Sequence, residues 1–127
     1  MSQTPQPGTI GWMDLTVEDA ARVRQFYEAV AGWTAQEHPL EGYSDYVMMT
    51  PGGAPAGGVC HARGANAALP PVWLIYIVVE DLDARVAKCQ ELGGQVVDGP
   101  RQAGSGRFCV LRDPAGAAFA LYENLAA

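Results

Sequence analysis

Few residues of this chain can do chemistry. Its only histidines are His38 and His61, and its three cysteines are Cys60, Cys89 and Cys109. Cys60 and His61 are adjacent, and such a pair can supply two metal ligands or a nucleophile with its base. Successive residues of a strand point to opposite faces, however, so in an extended segment these two cannot easily share one metal or one proton. His61 then reads as a strand-end residue, His38 before Pro39 as a surface-loop residue, and Cys109 as an inert buried thiol. Asp14 is the sharper candidate, because a carboxylate on the inner face of a strand is costly unless hydrated or paired. It can act as a general base, as an acceptor for a ligand's polar group, or as the partner of Arg107. Trp12, Tyr46, Met48, Tyr76, Phe108 and Tyr122 supply rings and a soft thioether, which suit a flat organic ligand. Packing inside the core is their competing use.

The rest of the composition narrows the class. The chain has 127 residues, one domain's worth, with 49% hydrophobic and 17% charged residues, which describes a globular protein rather than a disordered chain or coiled coil. Eight basic against 14 acidic residues leave a formal charge of −6, a poor match to a phosphate backbone, so no nucleic-acid partner is expected. The longest apolar run, Val72 to Val79, is far below the roughly 20 residues of a membrane helix, so no membrane partner is expected. The polar start, with Pro5 and Pro7, has no basic and apolar leader pattern, which points to the cytoplasm. Three widely spaced cysteines without a CxxC point to reduced thiols. The pairs Gly52-Gly53 and Gly57-Gly58 lack a following helix and lysine, so they read as turn chemistry.

Position along the chain gives the elements. Residues 1–8 read as a flexible tail and 9–124 as a single domain. Alternation over Thr9–Val17 predicts a strand. Asp19 caps a helix carrying Val23, Phe26, Tyr27 and Val30, and Gly32 stops it. Strands are predicted at Trp33–Glu37, Tyr43–Thr50 and Gly57–Ala62, separated by Pro39 and by the Pro51–Pro55 turn. After a connector at 63–71 the order recurs. There is an apolar strand at Val72–Val79, a helix capped by Asp81 or Asp83 and ended at Gly93-Gly94, and strands at Gln95–Asp98, Arg107–Arg112 and Ala117–Glu123. Val17/Val79, Glu18/Glu80, Asp19/Asp81, Val30/Leu92 and Gly32/Gly94 all share an offset of 62 residues, which marks an internal repeat.

The chain therefore predicts an α+β fold of two βαβββ modules, about 9–62 and 72–124. Their strands are expected to form a U-shaped mixed sheet around a cleft, with the helices packed outside. Period two puts Met13, Leu15 and Val17 toward the first helix, and Trp12, Asp14 and Thr16 toward the cleft. In the repeat it puts Trp73, Ile75, Ile77 and Val79 toward the helix, and Leu74, Tyr76 and Val78 toward the cleft.

These marks resemble the vicinal oxygen chelate superfamily, which includes glyoxalase I, bleomycin-resistance proteins, fosfomycin-resistance enzymes and extradiol dioxygenases. The marks are Val17-Glu-Asp19 with Phe26-Tyr27 and Gly32-Trp33, Val79-Glu-Asp-Leu-Asp83 with Leu92-Gly-Gly94, and the closing run Gly106 to Ala117. The resemblance implies a divalent metal held in the cleft by His and Glu from the first and last strand of each module. Here the matching positions fall on Trp12, Leu74 and Ala120, with the remaining one near Gly57-Gly58, so no metal and no cofactor are expected.

The functional expectation is a metal-free binder of a small hydrophobic or aromatic molecule. Trp12, Asp14, Tyr46, Met48, Leu74, Tyr76, Phe108, Ala120 and Tyr122 would line the site, and a homodimer is expected. The alternatives are an enzyme of the same superfamily (lyase, isomerase or dioxygenase), using unconventional ligands such as Asp14, His61 and Glu123 or Asp14 as base, and an accessory or regulatory subunit.

Overall fold

The computed structural model describes residues 5–125. In chain order the elements are β1 (Ile10–Val17), α1 (Ala20–Ala31), β2 (Thr34–Leu40), β3 (Tyr43–Met49), β4 (Pro55–His61), β5 (Trp73–Val78), α2 (Leu82–Glu91), β6 (Gln95–Ala103), β7 (Gly106–Arg112) and β8 (Ala118–Asn124). A short 3-10 turn, Gly64–Asn66, lies in the connector. The α+β class and the doubled βαβββ order are those expected from the sequence.

The chain divides into two compact units: Met13 to Trp73, and the chain from Leu74 on together with the N-terminal segment through Trp12. In the first unit the strands run β2-β3-β4-β1, with β1 parallel to β4 and the other neighbours antiparallel. In the second they run β5-β8-β7-β6, with β5 parallel to β8. Of the segment expected as a flexible tail, residues 1–4 lie outside the described residues. Gly8, at its other end, donates its N–H to the Val78 carbonyl at 2.7 Å.

Local chemistry sets the helix limits. Asp19 accepts the Arg22 N–H at 3.2 Å, and Gly32 closes α1 in the left-handed region at φ 76°. Of the two candidate caps for α2, Asp81 is the one used, accepting the Ala84 N–H at 3.2 Å. Asp83 instead turns to Arg107. Pro39 does not end a strand as the sequence suggests. It lies inside β2, which among the described residues pairs with β3 alone, and a strand bonded on one side tolerates the missing N–H.

Strand register confirms the repeat. Asp14↔Gly58, Leu15↔Val59 and Thr16↔Cys60 in β1/β4 recur as Tyr76↔Ala120, Ile77↔Leu121 and Val78↔Tyr122 in β5/β8, each shifted by 62. The antiparallel neighbours differ. Tyr46 pairs with Val59, whereas Cys109, not Phe108, pairs with Leu121, so β3 maps onto β7 with a shift of 63. A slip of one residue sends every side chain of a strand to the other face.

Each unit buries its helix against one sheet face. In the first, Ala20 of α1 packs with Tyr46, Met48 and Val59, joined by Val23, Tyr27, Trp33 and Trp73. Trp73 donates its Nε1–H to the Tyr27 hydroxyl at 3.0 Å. In the second, Leu82 and Val86 of α2 pack with Cys109, Leu111 and Leu121.

Candidate functional site

The sheet faces turned away from the helices carry the candidate chemistry, and each belongs to its own unit. On the second unit, alternation opposite to Cys109, Leu111 and Leu121 places Tyr76, Phe108, Val110, Ala120 and Tyr122 on this face. The Tyr76 and Phe108 rings lie 5.9 Å apart, and Tyr122 is directly across from Phe108. The Arg101 guanidinium sits 4.5 Å above the Phe108 ring and is bonded to Asp98 at 2.8 Å. Cation and ring attract here because the guanidinium meets the negative face of the π system. Tyr76 and Tyr122 are half-buried, whereas Phe108 is buried and Leu74 and Ala120 are wholly enclosed. Trp12 is half-buried.

On the first unit the corresponding face holds Asp14, Thr16, Gly58 and Cys60. A Cβ on Gly58 would collide with the Asp14 carboxylate and lie 3.7 Å from Cys60 Sγ, so carboxylate and thiol share the space above that glycine. Burial first, and then the charges of Asp14 and Asp45, push the Cys60 thiol far above its ordinary range. That environment favours the neutral thiol over the nucleophilic thiolate. Burial likewise pushes the Cys109 thiol up to about 11, with Asp98 and Cys89 adding to it.

Three expectations are corrected. Tyr46 and Met48 pack with Ala20 on the helix side of their sheet, because the shift of 63 in β3 reverses the face implied by a uniform 62. Arg107 does not pair with Asp14. It makes a two-pronged contact with Asp83 at 2.9 and 3.2 Å and approaches Glu123 at 3.8 Å. His38 lies in β2 rather than in a loop, although it is exposed.

The superfamily resemblance implies a divalent metal, which needs side chains with lone pairs to hold it. Register makes Gly58 the counterpart of Ala120, so the positions that the resemblance implies fall on Trp12 and its counterpart Leu74, and on Gly58 and its counterpart Ala120. An indole N–H, a hydrogen, an isobutyl group and a methyl group offer a divalent cation no lone pair. Glu123, the unconventional candidate, is committed to the Leu82 N–H and to Arg107. Among the described residues, no three His, Cys, Asp or Glu side chains are placed to hold an ion. The residues present do not fit the group.

Asp45 is the functional candidate that sequence reasoning missed. It accepts both the main-chain N–H of His61 at 2.8 Å and the His61 Nδ1 at 3.2 Å. Its signal was its place in β3, one residue from Tyr46. Once Tyr46 is assigned to the helix side, Asp45 falls beside Cys60.

Comparison with known proteins places this geometry in a family. A family model described as a glyoxalase-like domain matches residues 12–122. The anthracycline biosynthesis protein DnrV of Streptomyces peucetius is 35% identical over 120 residues, covering 94% of this chain and 43% of the relative. The putative glyoxylase CFP32 of Mycobacterium tuberculosis is 35% identical over 119 residues, covering 91% of this chain and 46% of the relative. The chain thus spans less than half the length of these relatives. Among solved structures, a methylmalonyl-CoA epimerase from Streptomyces coelicolor has a TM-score of 0.55 at 20% identity, covering 95% of this chain and all of that one. A hypothetical protein, BH1468 from Bacillus halodurans, has a TM-score of 0.59 at 14% identity, covering 94% of this chain and 96% of the other. Likeness at these identities concerns the fold.

Proposed function

We propose, from the premise that this chain belongs to the glyoxalase-like domain family, that it binds a small, flat aromatic molecule and does so without a resident metal. The observation that carries this reading is the aromatic face of the second unit: Tyr76 against Phe108 at 5.9 Å, with Tyr122 alongside and the Arg101 guanidinium held over the ring. Rings fixed in this way give a planar ligand offset or edge-on contact at little entropic cost, because their own freedom is already spent. Tyr76 and Tyr122 keep partly accessible surface for that contact. The relative DnrV is named for the biosynthesis of anthracyclines, which are flat polycyclic aromatics, and such a ligand is what these side chains suit.

Soluble anthraquinone-2-sulfonate tests the reading, titrated into tag-free protein and followed by intrinsic fluorescence and by the rise in melting temperature that a ligand of the folded state produces. Saturable binding is expected, and Tyr76→Ala should weaken it by about tenfold, the scale of one aromatic contact of roughly 1 kcal/mol together with its lost apolar area. If Tyr76→Ala and Phe108→Ala both bind as the parent does, the ligand is not on this face.

A further inference from the structure

The aromatic face of the second unit ends in a charge. Cross-strand pairing sets Tyr122, Phe108 and Arg101 in one row over β8, β7 and β6, and beside it Val110 pairs with Asp98. Asp98 and Arg101 are three residues apart on β6, so in a regular strand they would point to opposite faces. The register of β6 against β7 shifts between them: three steps along β6 match two along β7. Such a bulge re-aims a side chain, and here it turns both to the side of Phe108. Gly99 lies inside it at φ 100°, a region that side chains rarely adopt. Arg101 Nε then donates to Asp98 Oδ2 at 2.8 Å, and the guanidinium lies 4.5 Å above the Phe108 ring. The Arg101 and Asp98 side chains are 29% and 23% exposed, so the cation is held in place yet in reach of a ligand. Arg107, next to Phe108 in the chain, points to the helix side and bonds Asp83 through both terminal nitrogens.

We infer that Arg101 selects the ligand by charge, so that the molecule received on this face is an aromatic anion: a flat ring system with a carboxylate or equivalent oxyanion on its rim. The inference rests on the aromatic-ligand reading above and names the class of that ligand. From Tyr122 to Arg101 the row crosses two strand spacings, about 10 Å, so a polycycle lying against the Tyr122 ring brings its rim to the guanidinium. Arginine keeps its charge at every pH the fold survives, and its planar fork of N–H donors suits an oxyanion. Asp98 is the positioning residue. Its bond to Nε fixes the guanidinium, and its own charge keeps the preference for an anion modest. The chain's formal charge of −6 opposes any anion, so a preference for one has to come from a cation at the site itself.

Two probes of nearly one shape separate charge from stacking: anthraquinone-2-carboxylate, ionised at neutral pH, and its uncharged amide, anthraquinone-2-carboxamide. Equilibrium dialysis against tag-free protein gives the ratio of their affinities. The carboxylate should bind about tenfold more tightly, the scale of one charge-assisted hydrogen bond at a partly exposed site. Arg101→Gln should bring the ratio close to one. Lys88→Gln, which removes the same charge from an exposed position on α2, should leave the ratio as it is. An Arg101–Asp98 pair that only braced the bulge would alter stability and leave the ratio unmoved. Should Arg101→Gln not fold, the 15N–1H signal of Arg101 Nε in the parent protein gives the same answer, because the carboxylate must shift it and the amide must not. Equal affinities in the parent, a ratio that survives Arg101→Gln, or an Nε signal that responds alike to both probes overturns this inference and leaves the aromatic-ligand reading standing. No saturable binding of either probe overturns both.

Discussion

The two modules share a strand register yet present opposite chemistry on their outward sheet faces. Position 14 is aspartate where its repeat counterpart, 76, is tyrosine. Gly58 corresponds to Ala120, and Cys60 to Tyr122. One face is polar, with the carboxylates of Asp14 and Asp45 and the thiol of Cys60. The other is aromatic and aliphatic. Register is set by backbone bonding and by the buried helix side, and those are alike in both modules. The outward side is free to diverge because it does not hold the helix. A repeated scaffold can therefore carry polar side chains on one copy and aromatic side chains on the other.

The largest effect expected shows where the modules remain equal. Met48→Ala and Leu82→Ala each remove a wholly buried side chain from the core beside a helix. Each should cost about 2–5 kcal/mol in urea denaturation. A loss confined to one of them would mean that the two cores are not equivalent.

Next come two glycines that distinguish the outward faces. A Cβ on Gly106 would strike the Glu123 carbonyl and the Tyr122 hydroxyl, and the carbonyl belongs to a paired strand that cannot step aside. Gly106→Ala should therefore cost about 1–3 kcal/mol. A Cβ on Gly58 would strike only the end of the Asp14 side chain, which can rotate. Gly58→Ala should cost less. It should also speed alkylation of Cys60 by iodoacetamide, because Asp14 is one of the two charges that hold the thiol neutral. An unchanged alkylation rate would remove Asp14 from that role.

The smallest effect concerns charge. Glu28 is held below the usual carboxylate range first by the Ala35 N–H and then by Arg24. Its folded pKa is depressed, so its contribution is present above the unfolded carboxylate range and lost as pH falls through the folded value. Glu28→Gln should flatten the acid limb of the stability curve between about pH 3 and 5. Asp83, bonded to Arg107 in the other module, is 69% exposed. Asp83→Asn should change stability less than Glu28→Gln, with what effect there is disappearing in salt.

Much of this was legible in the chain. The offset of 62 between capping aspartates and stop glycines located both modules, and period two assigned β1 and β5 to their correct faces. Tyr46 and Met48 were misplaced because nothing local fixes the face of β3, which maps onto β7 with a shift of 63 where β1 and β4 shift by 62. Alternation alone cannot detect that slip, since both faces of β3 carry apolar residues: Tyr46 and Met48 on one, Val47 and Met49 on the other. The tie between Asp45 and His61 spans 16 residues and depends on strand pairing, so no local pattern announces it. The partner of Arg107 was missed for a similar reason. Asp83 was read as a candidate cap, and only the folded helix shows that Asp81 takes that role and releases it.

We propose that the aromatic face of the second module receives the ligand. The most direct test is a two-dimensional NMR titration of isotopically labelled, tag-free protein with anthraquinone-2-sulfonate. Saturable shifts centred on Tyr76, Phe108 and Tyr122 are predicted, with Leu82, Val86 and the rest of the helix-side core unmoved. A titration that saturates with its shifts elsewhere, or that leaves all three rings in place, would contradict it.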